Sequence, residues 1–251
     1  MRKSLVLLTI LCATLLGAPT MAPQVFELPP QPKASLYGNL LIDRLSSESG
    51  EEAVGFSHWS HRTRHTCRVC HFELGFEMAV NTTEIICQGG RAAEFCGACH
   101  DGEKAFGNDP STCKRCHSGS VDGPDRAFKE LRRLPRAPHG NKIDWVEAVR
   151  TLKIWPRQSI LEEDYEPMPF DKSLTLEAEW SMISPAVFPH DVHGRWLDCA
   201  NCHPDIFNVK KKTTEHFEMR YNLEGKFCGA CHLKVAFPMD DCKRCHPKMN
   251  L

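Results

Sequence analysis

The sequence predicts a mainly α-helical and irregular chain with little regular secondary structure, arranged as two similar modules of fewer than 70 residues each. Twelve of the 14 cysteines fall into six Cys-x-x-Cys-His motifs. The motifs of the second half repeat the spacing of the first half. Because a unit of this size cannot bury a large hydrophobic core, each module must fold around something other than its apolar side chains.

The six motifs have the spacing by which haem c is covalently attached. Two thiols add across the two vinyl groups of one haem, and the adjacent histidine can then take an axial position on the iron. We therefore expect six covalently bound haem c groups. The attachment cysteines are Cys67, Cys70, Cys96, Cys99, Cys113, Cys116, Cys199, Cys202, Cys228, Cys231, Cys242 and Cys245. The proximal axial histidines are His71, His100, His117, His203, His232 and His246.

Disulfides and zinc are the alternatives for the cysteines. Disulfides are common in exported proteins, but they give no reason for a constant spacing of two residues. Zinc also binds Cys-x-x-Cys pairs, but the pairs would have to combine into tetrahedral sets. Neither alternative explains a histidine after every pair, so the pattern favours haem.

The chain contains an internal repeat with an offset of 132 residues. This offset carries His58 onto His190 and His61 onto His193, whereas the third motif shifts by 129 because the loop before it is shorter. Each half therefore forms one trihaem module. The predicted divisions are a signal peptide at 1–22, an N-terminal segment at 23–50, module 1 at 51–118, a linker at 119–184 and module 2 at 185–251.

A low-spin haem needs a distal ligand in addition to its motif histidine. His58 and His61 precede the first motif of module 1, and His190 and His193 hold the same places in module 2. Residues three apart on a helical segment point in neighbouring directions, so each pair can serve two irons. Exposed surface histidines are the alternative, which the repetition disfavours.

The third iron of each module has no repeated histidine left. Met219 lies nine positions before the middle motif of module 2, and the offset places it opposite Cys87. Methionine and thiolate sulfurs both ligate haem iron, so we expect Met219 and Cys87 to be distal ligands. A core methionine and a free thiol are the alternatives. Met78, His65 and His216 are the rival ligands.

The linker contains several prolines and one helix-like stretch at about 143–152. Asn141 is the predicted N-cap of that helix, and Trp145 is expected to pack against one module. His139, also in the linker, is expected to be structural or exposed. A small hairpin is expected before the first histidine pair.

The N-terminus has the composition of an export signal. Arg2 and Lys3 precede a short apolar stretch at 5–16, and small residues follow at Ala18 and Ala22. A transmembrane helix typically needs about 20 residues, so we expect cleavage, with an uncleaved anchor as the alternative. The net charge of −1 gives no basic surface for nucleic acid. These features predict a periplasmic protein, with the cell surface or the exterior as alternatives.

The order of the motifs resembles the trihaem cytochrome c7 module of the class III cytochrome c family. In module 2, F-x-H-x-x-H is followed by Cys-x-x-Cys-His, then 227-FCGACH-232 and 242-CKRCH-246. Module 1 has 95-FCGACHDGEKAF-106 and 113-CKRCH-117. The resemblance covers both predicted modules and implies two c7-like trihaem modules wrapped around their haems.

The resemblance also implies ligands. His58 would ligate the haem of the first motif and His61 the haem of the middle motif, and His190 and His193 would do the same in module 2. In single-module members, the third distal ligand is a histidine shortly before the middle motif. Neither middle motif has one here, which agrees with a sulfur ligand.

Closely spaced haems pass single electrons, while the protein supplies ligands, spacing and dielectric. The resemblance implies an exported hexahaem electron carrier of anaerobic respiration, with a membrane quinol-linked donor and other cytochromes as redox partners. A multihaem reductase that uses a weakly ligated third haem is one alternative, and a subunit of a conductive cytochrome filament is another. All six motifs end in histidine, so none marks a catalytic haem and we expect no enzyme activity.

Overall fold

The structure is a computed structural model that describes residues 27–86, 93–122, 125–178, 182–207 and 218–250. The predicted signal peptide, Cys87 and His216 lie outside these residues. None of the helices within the described ranges is both long and apolar enough to cross a membrane.

Regular secondary structure is limited to short segments, which confirms the predicted fold class. The strands are β1 (Asn39–Ile42), β2 (Val54–Ser57), β3 (Ser173–Leu176) and β4 (Ala186–Pro189). The α-helices are α1 (Arg44–Ser49), α2 (His58–Arg62), α3 (Cys113–Cys116), α4 (Asp125–Glu130), α5 (Trp145–Arg150), α6 (His190–Gly194), α7 (Met219–Leu223), α8 (Gly229–His232) and α9 (Cys242–Cys245). Short 3₁₀ turns lie at Phe95–Ala98, Leu131–Arg133 and Cys199–Asn201, and a π-helical turn at Val69–Glu73.

Each module has an antiparallel two-stranded hairpin in front of its histidine pair. β1 pairs with β2 so that Asn39 lies opposite Ser57, and β3 pairs with β4 so that Ser173 lies opposite Pro189. The second strand of each hairpin runs directly into the helix that carries the histidine pair. The first strand comes from the segment in front of the predicted module, so the expected hairpin is present and draws on residues outside 51–118 and 185–251.

The hydrophobic core of the described residues lies between the linker and module 1. It consists of Trp59, Leu131, Leu134, Ile143, Trp145 and Ala148. Trp59 belongs to α2 of module 1, whereas the other five residues belong to the linker. Trp196 of module 2 packs against the edge of this cluster. The linker therefore buries its apolar residues against module 1 and also contacts module 2 through Trp196.

The linker helix α5 is shorter than the sequence predicts and has a different N-cap. Its cap is Asp144, whose Oδ1 accepts the N–H of Glu147 at 3.0 Å. The prediction of Asn141 as the cap is wrong, because Asn141 is buried and its Oδ1 accepts from the indole N–H of Trp145 at 3.2 Å. Without that acceptor, the buried indole would lack a partner.

The two modules contact each other directly. Arg62 of module 1 donates from Nη2 to the carbonyl of Val235 in module 2 at 3.1 Å. Asn201 of module 2 donates from Nδ2 to the carbonyl of His71 in module 1 at 3.0 Å. The second contact joins two attachment motifs, so the structure brings the first motif of one module against the first motif of the other.

Candidate haem sites

The attachment motifs lie on single helical turns. In five of the six motifs, the N–H of the motif histidine donates to the carbonyl of the first cysteine at 2.8–2.9 Å. This bond closes one α-helical turn, and residues separated by three and four positions share one face of a helix. Both thiols and the imidazole therefore lie on one side, as attachment of one haem requires. The first motif instead runs into the π-helical turn Val69–Glu73.

Gly229, an intervening residue of the fifth motif, is pressed against α7. A β-carbon at this position would lie 1.8 Å from the backbone carbonyl oxygen of Asn222. Because that atom belongs to the backbone, the neighbouring helix would have to shift. We expect Gly229→Ala to destabilise module 2 by about 1–3 kcal/mol or more, measured as a lower thermal unfolding midpoint.

Gly194→Ala is the matched control for this variant. A β-carbon at Gly194 would meet nothing within 4 Å, so its unfolding midpoint should stay close to that of the parent chain. Equal midpoints for the two alanine variants would contradict the predicted clash.

None of the twelve motif cysteines forms a disulfide. Burial raises the pKa of Cys70, Cys228 and Cys231 to about 12, so these thiols are neutral. Across the described part of the chain, no three or more His, Cys, Asp or Glu side chains converge to hold a metal ion. The cysteines are therefore arranged neither in disulfides nor in the tetrahedral sets that zinc would need.

All ten predicted haem-ligating histidines have the same ring orientation. In each, Nδ1 lies within 2.6–3.2 Å of a backbone carbonyl oxygen. A carbonyl can only accept a hydrogen bond, so Nδ1 carries the proton and Nε2 keeps its lone pair. Carbonyl partners of this kind orient histidines that bind metals. The ten residues are His58, His61, His71, His100, His117, His190, His193, His203, His232 and His246.

Three predicted distal histidines face motif histidines across a gap of one metal ion. The ring centres are 6.5 Å apart for His58 and His71, 6.2 Å for His61 and His100, and 6.1 Å for His193 and His232. With metal–nitrogen bonds of about 2.0–2.1 Å on each side, two imidazoles on one metal have ring centres about 6.4 Å apart. Each of these three pairs is therefore placed to hold one iron.

Among the described residues, the other motif histidines have no such facing ring. His190 and His203 make no ring contact with each other within the described ranges, although each has its carbonyl partner. The same holds for His117 and His246, which use the carbonyls of Glu52 and Ser184. These last two belong to the third motif of each module, for which the sequence offers no repeated distal histidine.

Phenylalanines order the histidines, and sequence reasoning missed this role. Phe56 of β2 contacts His58 and His61 with ring centres at 4.8 and 4.6 Å. Phe188 of β4 contacts His190 and His193 at 4.8 and 4.2 Å. The phenylalanine of F-x-H-x-x-H thus packs on both histidines of its module.

A second set of phenylalanines supplies carbonyl acceptors. The first and middle motifs of each module are followed, four to six residues later, by a phenylalanine whose carbonyl accepts from the motif histidine. These residues are Phe76, Phe106, Phe207 and Phe237. Their regular position after each motif is the sequence signal that could have identified them.

The residues considered for the third haems are distributed as follows. Met219 starts α7 and lines the main cavity, with its Sδ 3.8 Å from Nδ2 of Asn222. Met78 lines the same cavity. Cys87, the predicted ligand of module 1, and His216, the rival of Met219 in module 2, lie outside the described residues.

The two remaining histidines differ from the ligand set. Within the described ranges, the buried Nδ1 of His65 has no hydrogen-bond partner, so no contact with these residues fixes its tautomer. His139 has Nδ1 3.2 Å from Oδ2 of Asp240 and Nε2 4.0 Å from Oδ1 of Asp241. Carboxylates thus face both ring nitrogens of His139, which fits the expectation that it is structural.

Residues of five of the six motifs, all but the third, line a cavity of about 1200 Å³ to which both modules contribute. Pockets for a single small ligand usually measure about 300–1,000 Å³. Burial lowers the pKa of His58 to about 3 and that of His232 to about 4, so both imidazoles are neutral and able to coordinate. Cysteine pairs that form no disulfides, neutral imidazoles with an available Nε2 and a large shared cavity fit covalently bound haem.

Comparisons with known proteins agree with this chemistry. The sequence model of the family described as cytochrome c7 and related cytochrome c matches residues 54–118 and 186–247, together just over half of the chain. No curated protein matches the chain.

Three solved structures are similar to the chain. The C-terminal hexahaem fragment of GSU1996 is 24% identical, with 90% of this chain and 100% of the fragment covered and a TM-score of 0.28. The dodecahaem cytochrome c GSU1996 is 23% identical, with 85% and 75% covered and a TM-score of 0.29. Its N-terminal hexahaem fragment is 24% identical, with 84% and 99% covered and a TM-score of 0.25. At these TM-scores the superpositions add no structural argument. On the strength of its two matching regions, the chain belongs to the family of cytochrome c7 and related cytochromes c.

Proposed function

We propose that the chain is an exported hexahaem c-type cytochrome that relays single electrons in anaerobic respiration. Membership of a multihaem c-type cytochrome family implies electron transfer. The observation that best supports the more specific proposal is the common orientation of ten histidines, each with Nδ1 on a carbonyl and Nε2 available. No such arrangement is needed for histidines that only pack or face solvent.

When bound, the haem irons supply reversible one-electron chemistry between ferrous and ferric states. The chain's own residues hold and insulate these centres. The carbonyl partners fix the imidazoles, and rigid ligands keep the reorganisation on electron transfer small. Phe56 in module 1 and Phe188 in module 2 each pack on both distal histidines of their own module. One phenylalanine therefore orders the ligands of two haems.

We propose the distal ligands by the same geometry. His58, His61 and His193 are assigned as partners of the histidines that they face, and His190 is assigned to His203 by the repeat. Met219 and Cys87 are proposed for the third irons. All six motifs end in histidine, which supports a carrier rather than an enzyme.

The predicted export signal supports a periplasmic location, with the cell surface or the exterior as the alternatives. A membrane quinol-linked donor and other cytochromes are the proposed partners. The absence of a spanning helix concerns only the described ranges, so an uncleaved N-terminal anchor stays the alternative to a mature soluble form.

The proposal is tested by counting and titrating the haems of the purified protein. Mass spectrometry and the pyridine haemochrome spectrum should give six haems per chain, and a redox titration should show reversible one-electron steps. Fewer than six haems would contradict the cofactor assignment. A high-spin iron that binds and turns over nitrite or another oxyanion would favour the reductase alternative.

Met219→His is expected to lower the reduction potential of one haem and to leave every iron low-spin. A neutral thioether favours ferrous iron and raises the potential relative to a second histidine. Spectroelectrochemical titration measures the potential, and electron paramagnetic resonance reports the spin state.

Met219→Leu and Met78→Leu complete this test. Loss of the thioether at position 219 should produce one high-spin haem, whereas Met78→Leu should leave the spectrum unchanged. A high-spin signal in the Met78→Leu variant would give Met78, in place of Cys87, the ligand role in module 1. Cys87→Ser should likewise produce one high-spin haem in module 1 if its thiolate is a ligand.

A further inference from the structure

Arg68, an intervening residue of the first motif, is buried where the two modules meet. Its side chain is only 7% exposed. Nε donates to Oδ2 of Asp198 at 3.2 Å, and Nη1 donates to Oε1 of Glu73 at 2.5 Å and to the carbonyl of Gln158 at 3.1 Å. The guanidinium carbon lies 3.8 Å from the ring centre of Tyr165. One side chain therefore joins module 1, the linker and module 2.

Asp198 positions the fourth motif as well as accepting from Arg68. Its Oδ1 accepts the N–H of Ala200 at 3.0 Å, and its own N–H donates to Oδ1 of Asn201 at 2.8 Å. These bonds form a capping box on the turn Cys199–Asn201. The carboxylate that starts the fourth motif is thus the one that Arg68 holds.

The junction uses the motif positions that haem attachment leaves free. The repeat places Arg68 opposite Ala200 and Val69 opposite Asn201. Arg68 reaches into module 2, and Asn201 reaches back to the carbonyl of His71 at 3.0 Å. The repeated halves therefore differ at the two positions that connect them.

The junction is also a buried cluster of charge. The side chains of Glu73 and Asp198 are 3% and 22% exposed, so Arg68 faces one buried and one partly buried carboxylate and neutralises the charge of one of them. Charges in such surroundings are weakly screened. Removal of a partner leaves a buried charge uncompensated.

We propose that Arg68 is a positioning residue that holds the haems of the first and fourth motifs in a fixed relation and, as a buried cation, raises their reduction potentials. The inference rests on the proposed electron relay. One electron passes between a ferrous and a ferric iron, so one is oxidised and the other reduced, with no change of bonds or protons. A fixed junction sets both the distance and the driving force of that transfer.

Arg68→Gln in the holoprotein is expected to move two of the one-electron steps to lower potential. We expect about a tenfold change in each equilibrium constant, which corresponds to about 59 mV for a one-electron couple. Spectroelectrochemical titration measures the shift. Small-angle scattering should show a larger radius of gyration, because the carboxylates of the two modules then repel each other.

Asp198→Asn is the second variant, and its shift should have the opposite sign. Asparagine can still cap the turn, but one negative charge is lost, so the same two steps should move to higher potential. Arg68→Lys keeps the positive charge, so both reduction potentials should stay close to those of the parent protein. Arg132→Gln is the charge-matched control, because Arg132 is an exposed residue of the linker and its removal should shift the potentials far less.

Opposite shifts in the Arg68 and Asp198 variants support the proposal, since a merely structural defect would move both in one direction. Shifts of the same sign, or none in either variant, overturn it. If Arg68→Gln does not accumulate, an upward shift in Asp198→Asn together with little shift in Arg68→Lys supports the proposal, and a downward shift or none in Asp198→Asn overturns it. Failure of the proposed function is seen separately, as a parent protein that lacks six haems or reversible steps.

Discussion

Chain produced without covalent haem attachment is expected to remain unfolded and to be degraded. The strands and α-helices in the described part of the chain have four to six residues, and isolated helices of this length are not stable in water. The main cavity of about 1200 Å³ would collapse or fill with water, because its lining side chains would have no partner. Circular dichroism and limited proteolysis of chain expressed without the cytochrome c maturation system measure the effect.

The Cys199→Ala variant tests in module 2 alone whether haem attachment is needed for folding. With one thioether lost, we expect lower haem occupancy at the fourth motif and loss of order in module 2, while module 1 keeps its haems. The small core that contains Trp59 and Trp145 is present in the haem-free chain and in the Cys199→Ala variant alike. A haem-free chain with a cooperative thermal transition would show that this core suffices, and would refute the view that haems organise the fold.

The haem attachment sites are predicted from sequence alone because their chemistry is local. Two thiols and one imidazole on a single turn need a fixed spacing, and that spacing can be read directly from the amino-acid sequence. The carbonyl partners of the motif histidines are only partly local. Phe76 follows His71 by five residues, whereas Glu52 lies 65 residues from His117 and Ser184 lies 62 residues from His246. Such distant partners depend on the folded chain and leave no pattern in sequence.

The packing of the linker and the contacts at the module junction could not be predicted either, because they join residues that are far apart in the sequence. The sequence shows Trp145 and Ile143 as apolar residues, but not that Trp59, more than 80 positions earlier, packs with them. Arg68 occupies a position that attachment chemistry leaves open, so its contact with Asp198, 130 residues away, could not be inferred from the motif. The wrong cap at Asn141 follows from the same cause, since a buried indole in the fold claims its side chain.

Alanine variants of the four predicted distal histidines are expected to convert one haem each from low-spin to high-spin, and a different haem in each variant. His58, His61 and His193 face motif histidines at the separation that one iron requires, and His190 is assigned by the repeat. Loss of one of two strong axial ligands leaves a five-coordinate or weakly ligated iron. Electron paramagnetic resonance and ultraviolet-visible spectra of the four purified variants measure the change.

His65→Ala and His139→Ala are the controls, because neither histidine has its Nδ1 on a backbone carbonyl. Both should keep the parent spectrum. Added imidazole should restore the low-spin signal in the distal variants, since it can occupy the vacated position without the protein's help. Four spectra indistinguishable from the parent would refute the ligand assignment, and a high-spin signal in the His65 variant would give His65 the place of a distal ligand.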